Sequence, residues 1–263
     1  MSALRLLNLG CGRRRHPAWT NADLVPDSPE VLQVDLRCPL PFLDGEFDAV
    51  YSSHALEHLA PDAGRRVIVE MHRVLRPGGV VRVVVPDLEG ICRAYLAQLD
   101  AMDRGDASAI DRHAWMTIEL VDQLARVRKG GLMLRWWQRE PVPAEPFVIE
   151  RLGAEASDAI AHIRRRRQEL GRPPLHATNW DDVGDAPADD QLAFLASGES
   201  HRWMYDRLSL GALLERCGFE RVMRTSAQES RIPQWGEFAL DLDDRGRARK
   251  PDSLFMEAIR PGA

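Results

Sequence analysis

Short apolar runs at Leu4–Leu9, Thr20–Leu24, Val31–Leu36 and Phe47–Ser53, each closed by glycine or polar residues, have the length of buried strands. Val80-Val81-Arg82-Val83-Val84-Val85-Pro86 is richest in β-branched residues and reads as a parallel strand covered on both faces. Ahead of it, Val67, Ile68, Met71, Val74 and Leu75 recur at helical spacing with charge opposite, and Pro77-Gly78-Gly79 predicts the stop of that helix. From about Leu88 to Ser200 the period is helical and no strand is expected. Ile110, Met116, Leu120, Leu124 and Val127 form one apolar stripe, Ala156–Leu170 a charged helix, and Asp181–Asp190 an acidic loop. From Leu208 the earlier pattern returns. A helix capped by Ser209 runs to Cys217 and is closed by Gly218, and strands follow at Phe219–Arg224 and Ser253–Ile259. No internal repeat is visible.

This order predicts an α/β fold: a doubly wound, mostly parallel, seven-stranded sheet with a helical insertion after strand five. Residues 1–87 and 201–263 would form the sheet domain, and 88–200 the insertion. Entering after a central strand, the insertion would lie over the strand ends as a lid or substrate platform. The alternative is a homodimer interface.

A chain of 263 residues suffices for one large domain carrying such an insertion. The net charge of −5 argues against a global nucleic-acid-binding field, and the runs Arg13–Arg15 and Arg164–Arg167 read as local solvated faces. Cys11, Cys38, Cys92 and Cys217 form no CxxC pair, so free thiols in a reducing compartment and no structural zinc are expected. No apolar stretch approaches ~18 residues, so no membrane span is expected. The first strand starts within a few residues of Met1, leaving no room for a signal peptide, so the expected location is cytoplasmic.

Gly10 and Gly12 flank the turn after the first strand, where glycine lets backbone approach a ligand. A third glycine of the dinucleotide fingerprint is absent (Arg15 stands there), and so is a Walker lysine pattern. Asp23 ends the second strand and could accept from a ribose diol. Asp35 ends the third and could accept from an adenine amino group. Either alone reads equally as an aspartate capping a local turn. Two, at consecutive strand ends below a glycine turn, point to a nucleoside. His54-Ala55-Leu56-Glu57-His58 also matches H-x-x-E-H. On a helix His54 and His58 would share a face for a metal, with Glu70 or Glu119 as a further ligand, so a zinc hydrolase stands as an alternative.

Residues Leu6–Leu88 resemble the class I S-adenosylmethionine-dependent methyltransferases. They are most similar to the bacterial "type 11" group through LNLGCG (7–12), NADL (21–24), SSHALEHL (52–59) and LRPGG (75–79). The tail resembles a subgroup of predicted methyltransferases through His201–Asp206, Cys217–Phe219 and Lys250–Leu254. The resemblance implies a Rossmann-like fold and S-adenosyl-L-methionine as cofactor. Asn8, Gly10, Cys11 and Gly12 would border its methionine part, Asp23 and Leu24 the ribose, Asp35 and Leu36 the adenine, and Ser53 and His54 the methyl group. Two positions depart from the pattern: Asn8 replaces the usual acid and Arg14 a glycine. Only nine residues separate Gly12 from Ala22, so with Pro17 the first helix must be very short or missing, and Arg13 or Arg14 would serve the cofactor's carboxylate.

The expected activity is methyl transfer to a small molecule, at an oxygen or nitrogen of a sugar or other metabolite, with no nucleic-acid or membrane partner. His54, then His201, are the candidate bases, with Glu57 orienting or replacing them. His58, Tyr205 and Asp206 would line the substrate side. Trp115, Trp136, Trp137 and Trp180 could stack on an acceptor or simply pack. A protein that binds S-adenosylmethionine without catalysis is the other alternative.

Overall fold

The computed structural model describes residues 4–173 and 187–262. It divides into two compact units. The first comprises Met1–Asp87, Arg202–Ala248 and Ser253–Ala263, and the second Leu88–His201 with Arg249–Asp252.

The first unit is built on a sheet of seven strands: β1 (Leu6–Leu9), β2 (Trp19–Asp23), β3 (Leu32–Gln33), β4 (Phe47–Ser53), β5 (Leu75–Pro86), β6 (Glu220–Arg224) and β7 (Ser253–Ile259). Their order is β3-β2-β1-β4-β5-β7-β6. β3, β2, β1, β4 and β5 pair parallel, and β7 runs antiparallel to both β5 and β6. The expected mostly parallel, Rossmann-like sheet is therefore present. The order reverses between β1 and β4, which makes the crevice beyond their carboxyl ends the place for a ligand.

Helix α1 (Pro61–Val74) buries Val67, Ile68, Met71 and Val74 against one sheet face, as its spacing predicts. The opposite face is covered by a stretch of the 202–248 segment, with Ala227, Ile232, Trp235, Phe238 and Leu240 in its core. Arg82, the one charge in Val80–Pro86, clamps that cover. Its guanidinium donates to Asp241 Oδ2 (2.8 and 2.9 Å) and Glu257 Oε1 (2.8 Å), and lies 4.4 Å from the Trp235 ring centroid. A fully buried cation is tolerable only with such partners.

Several boundaries differ from expectation. α1 stops at Val74, and the buried Leu75 opens β5 opposite Phe47. Arg76 to Gly79 then form an excursion within the ladder: Phe47 pairs with Leu75, and the next pair is Ala49 with Val80. β3 shrinks to two exposed residues at the sheet edge. No helix lies between β1 and β2, as the short spacing requires. Side chains take over part of the hydrogen bonding there. Asn8 Nδ2 donates to the Arg14 carbonyl (2.9 Å) and Asn21 Nδ2 to that of His16 (3.1 Å).

The second unit is helical among its described residues: α2 (Leu88–Asp103), α3 (Ala109–Ala125), α4 (Gly131–Trp137), α5 (Glu145–Leu152), α6 (Ala154–Glu169) and α7 (Ala188–Ser197). The apolar stripe expected on α3 matches its buried face only in part. Met116 is buried and Leu120 half-buried, but Ile110 and Leu124 are exposed, and Val127 lies beyond the helix. Ala109, Trp115, Ile118, Glu119 and Asp122 face inward beside Met116. The polar members of that face explain the miss, since each has a partner. Glu119 accepts from Trp115 Nε1 (3.0 Å) and pairs with Arg151. Asp122 accepts the Leu132 and Met133 amides at the start of α4 (2.7 and 3.3 Å). Asp252 is also buried here, and burial pushes its carboxyl up to about 7 against the opposing pull of Lys250. Asp189 and Asp190 stand in the first turn of α7 rather than in a loop, while 181–186 lie outside the described residues.

Of the remaining helices, both in the first unit, α8 (Arg207–Arg216) packs on the same sheet face as α1. It is capped by Asp206, not Ser209: the Asp206 carboxylate accepts the Leu208 and Ser209 amides, and the Ser209 hydroxyl oxygen accepts the Asp206 amide. α9 (Trp235–Phe238) is a single turn within the cover.

Candidate active site

The ends of β1, β2 and β4 lie at one edge of the sheet, because Leu9 pairs with both Ala22 and Ser52. Gly10 turns the chain out of β1 at φ 67°, and a Cβ there would sit 2.6 Å from Ala55 Cβ. The glycine is thus required by the loop after β4 as much as by any ligand. Gly12, at φ 48°, has open space where a Cβ would be. The Gly10 and Cys11 amides both donate to the Ala22 carbonyl (2.8 and 3.1 Å), which ties the turn to β2. The Cys11 thiol is buried and pushed up to about 11 by burial and then by Asp23, so it serves as an apolar neighbour rather than a thiolate.

Asp23 is half-buried at the tip of β2. It accepts the Gly12 amide (2.8 Å) through Oδ2 and the Val25 amide (3.0 Å) through Oδ1. Each oxygen keeps a lone pair, enough for two ribose hydroxyls. Leu24 beside it is exposed. Asp35 is engaged differently. Arg37 Nε and Nη2 cover its two oxygens, each at 2.8 Å, and this guanidinium holds its carboxyl below the usual range. Leu36 next to it packs against the core. Asn8, only 1% exposed, spends its amide on Arg14 and on Asn21 Oδ1 (3.0 Å), so its side chain braces the turn. Arg13 and Arg14 are exposed.

Past β4 the chain makes a sharp bend. His54 has φ 51°, unusual for a residue with a Cβ, and its amide donates to the Val84 carbonyl (2.8 Å). Its Nδ1 lies 3.2 Å from Glu57 Oε1, and its Nε2 is 2.9 Å from Ser253 Oγ. The Glu57 side chain is fully buried at the start of a 3₁₀ turn over Leu56–His58, and its carbonyl accepts the Arg202 and Trp203 amides (2.7 and 3.2 Å). Because that turn is 3₁₀ and His54 precedes it, His54 and His58 are not successive rungs on an α-helix. The geometric premise of the zinc hydrolase is therefore unmet.

Tyr205 is buried beside the tip of β5, where it bridges to Asp87, and its hydroxyl would lie 2.8 Å from a Cβ on Gly64. Burial first, then the Glu57 charge, push its phenol up to about 12. Asp206, expected on the substrate side, is engaged as the cap of α8, which lowers its carboxyl. His201 belongs to the second unit, where its amide donates to the Gln123 carbonyl (3.0 Å). Trp115 and Trp136 are packed in that unit's core, with Trp137 against Trp115 at 6.2 Å between ring centroids; Trp180 lies outside the described residues.

Two residues at this edge escaped the sequence reading. Asp87 directly follows β5, with Oδ2 3.2 Å from Arg224 Nη2 and Oδ1 buried without a hydrogen-bond partner among the described residues. The strand-tip rule applied to Asp23 and Asp35 would have found it. Ser253 begins β7, and only the antiparallel direction of β7, pairing Ser253 with Pro86, brings it to the edge where β4 and β5 end.

Residues 7–83 match the family model described as a methyltransferase domain. The resemblance to the class I S-adenosylmethionine-dependent methyltransferases is borne out over that segment, which is less than a third of the chain. An uncharacterized methyltransferase of Synechocystis sp. is 47% identical over 45 residues, which is 17% of this chain and 21% of that protein. The chain thus spans about a fifth of the length of this curated relative. Among solved structures, a Thermotoga maritima S-adenosylmethionine-dependent methyltransferase, described as a possible histamine N-methyltransferase, is 12% identical with a TM-score of 0.42. It covers 99% of this chain and 84% of its own. A Mesorhizobium loti S-adenosylmethionine-dependent methyltransferase is 18% identical with a TM-score of 0.39, covering 98% and 92%. At these scores neither adds to the sheet order described above.

The first unit's own residues fit that cofactor at the points the geometry can test. Asp23 offers two aligned acceptors, Gly12 leaves room for close approach, and Ser53 Oγ is a buried hydroxyl without a partner among the described residues at the tip of β4. Among the described residues, no helix is long and apolar enough to cross a membrane.

Proposed function

We propose that this protein transfers the methyl group of S-adenosylmethionine to an oxygen or nitrogen of a small metabolite, such as a sugar. The observation that carries the reading is one strand edge with two chemistries on adjacent tips. The Gly12–Asp23 hydrogen bond couples the glycine turn to an acceptor for a ribose, and His54 at the next tip is held by groups on both ring nitrogens.

The bound cofactor supplies an activated methyl group. The chain supplies position and a base. Asp23 grips the ribose, and the Gly10–Gly12 turn borders the cofactor tail. His54 takes the acceptor's proton as the acceptor attacks, and Glu57 stabilises the resulting imidazolium. Orientation of this kind contributes ~7–11 kcal/mol, and a placed base about 10²- to 10⁴-fold in rate.

Calorimetry with S-adenosylmethionine and S-adenosylhomocysteine is the test, followed by acceptor screening with sugars, nucleotide sugars and small alcohols and amines. Binding of both ligands and turnover on one acceptor class are expected. Absence of binding overturns the reading; binding without turnover on any acceptor reduces it to a cofactor-binding protein.

A further inference from the structure

Ser253 and His54 stand 199 positions apart, yet their hydroxyl oxygen and Nε2 are 2.9 Å apart. Three independent features build this contact. His54 is fixed in a left-handed backbone conformation by its bond to Val84, an arrangement that persists only where the surroundings enforce it. Glu57 is fully buried and placed 3.2 Å from Nδ1. Ser253, 4% exposed, is anchored as the first residue of a central antiparallel strand.

Nδ1 sits 3.2 Å from a carboxylate oxygen, a separation that favours the ring proton of neutral His54 on that side. Nε2 would then accept, and the Ser253 hydroxyl, 2.9 Å away, would donate to it. Hydroxyl, imidazole and carboxylate in this order form the arrangement that lets a weakly acidic O–H release its proton to an imidazole. A histidine placed solely to pack the turn would not need both nitrogens ordered this way.

We propose that Ser253 is a catalytic residue of the methyl transfer, relaying the acceptor's proton to His54. This rests on the reading given under Proposed function. In the step, the acceptor oxygen gives its proton to Ser253 Oγ as Ser253 gives its own to His54 Nε2. The acceptor oxygen forms its bond to the methyl carbon, and the carbon–sulfur bond breaks with its electron pair left on sulfur. Ser253 ends as it began, and the proton rests on an imidazolium beside Glu57. A hydroxyl can accept one proton while donating another, which makes serine fit for the task.

The test is nitrogen NMR of the full chain with ¹⁵N-labelled histidine, the His54 signals being identified by their loss in His54→Gln. Wild-type His54 is expected as the Nδ1–H tautomer. In Ser253→Ala the Nε2 resonance moves toward that of a free lone pair, and Ser253→Thr keeps the wild-type position. On the acceptor found by screening, Ser253→Ala lowers turnover about 10²-fold with cofactor affinity unchanged, and Ser253→Thr restores it. A proton on Nε2, or Ser253→Ala with wild-type signals or wild-type turnover, overturns the relay. Because the tautomer is read without cofactor or acceptor, failure of the relay is distinct from failure of the parent reading, which calorimetry of the wild type decides. Should Ser253→Ala not fold, the wild-type tautomer and the Ser253→Thr comparison still decide.

Discussion

The two halves of the strand edge are built on different principles. At the tips of β1, β2 and β3 the work is done by backbone and by half-buried or exposed acids on local turns: Gly10, Gly12, Asp23, Asp35. At the tips of β4, β5 and the start of β7 stand the half-buried His54 and the buried Glu57, Tyr205, Asp87 and Ser253, from distant parts of the chain. The first half offers shape and two lone pairs. The second offers polar side chains whose partners act in a water-poor setting.

That contrast predicts separable failures. His54→Gln should lower turnover by ~10²-fold or more while calorimetry shows cofactor affinity near wild type. Loss of affinity as well would show that the two halves are not separable. Asp23→Asn should do the reverse, weakening cofactor binding about 10- to 100-fold, since a hydrogen bond to a charged group contributes ~1.5–3 kcal/mol. Gly10→Ala sharpens the picture from the backbone side. It forces a side chain into a left-handed turn against Ala55 and should cost roughly 1–3 kcal/mol in chemical denaturation. Smallest is Arg37→Ala, which releases Asp35 from its ion pair. An exposed pair is worth ~0–1 kcal/mol, so cofactor affinity should rise by no more than about 5-fold. A fall instead would make Arg37 itself a cofactor contact.

The same contrast governs what could be read from the chain. The strands, the missing first helix and the glycine turn are local patterns, and each was legible from a few consecutive residues. The cap of α8 was misassigned within its own capping box, because Asp206 and Ser209 are both good cap residues and geometry chooses between them. The buried face of α3 was matched only in part because Glu119 and Asp122 count as polar in a periodicity, although Trp115, Arg151 and two amides make them fit to bury. The H-x-x-E-H spacing singled out His54 and Glu57 as candidates, but not the hydroxyl 2.9 Å from Nε2. Ser253 reaches His54 only through the pairing direction of β7, which no spacing in the sequence encodes.

Asp252 gives the helical unit a built-in preference for mildly acid solution. An acid held at about 7 by burial keeps its proton more tightly folded than unfolded, so its neutral form favours the native state. That contribution is complete below the ordinary aspartate range and drains away as pH climbs toward neutrality, leaving an ion in an interior that solvates it poorly. Melting curves recorded from pH 5 to 8 should slope downward with a term that Asp252→Asn abolishes. Whatever optimum the chemistry has, the helical unit would loosen first on the alkaline side.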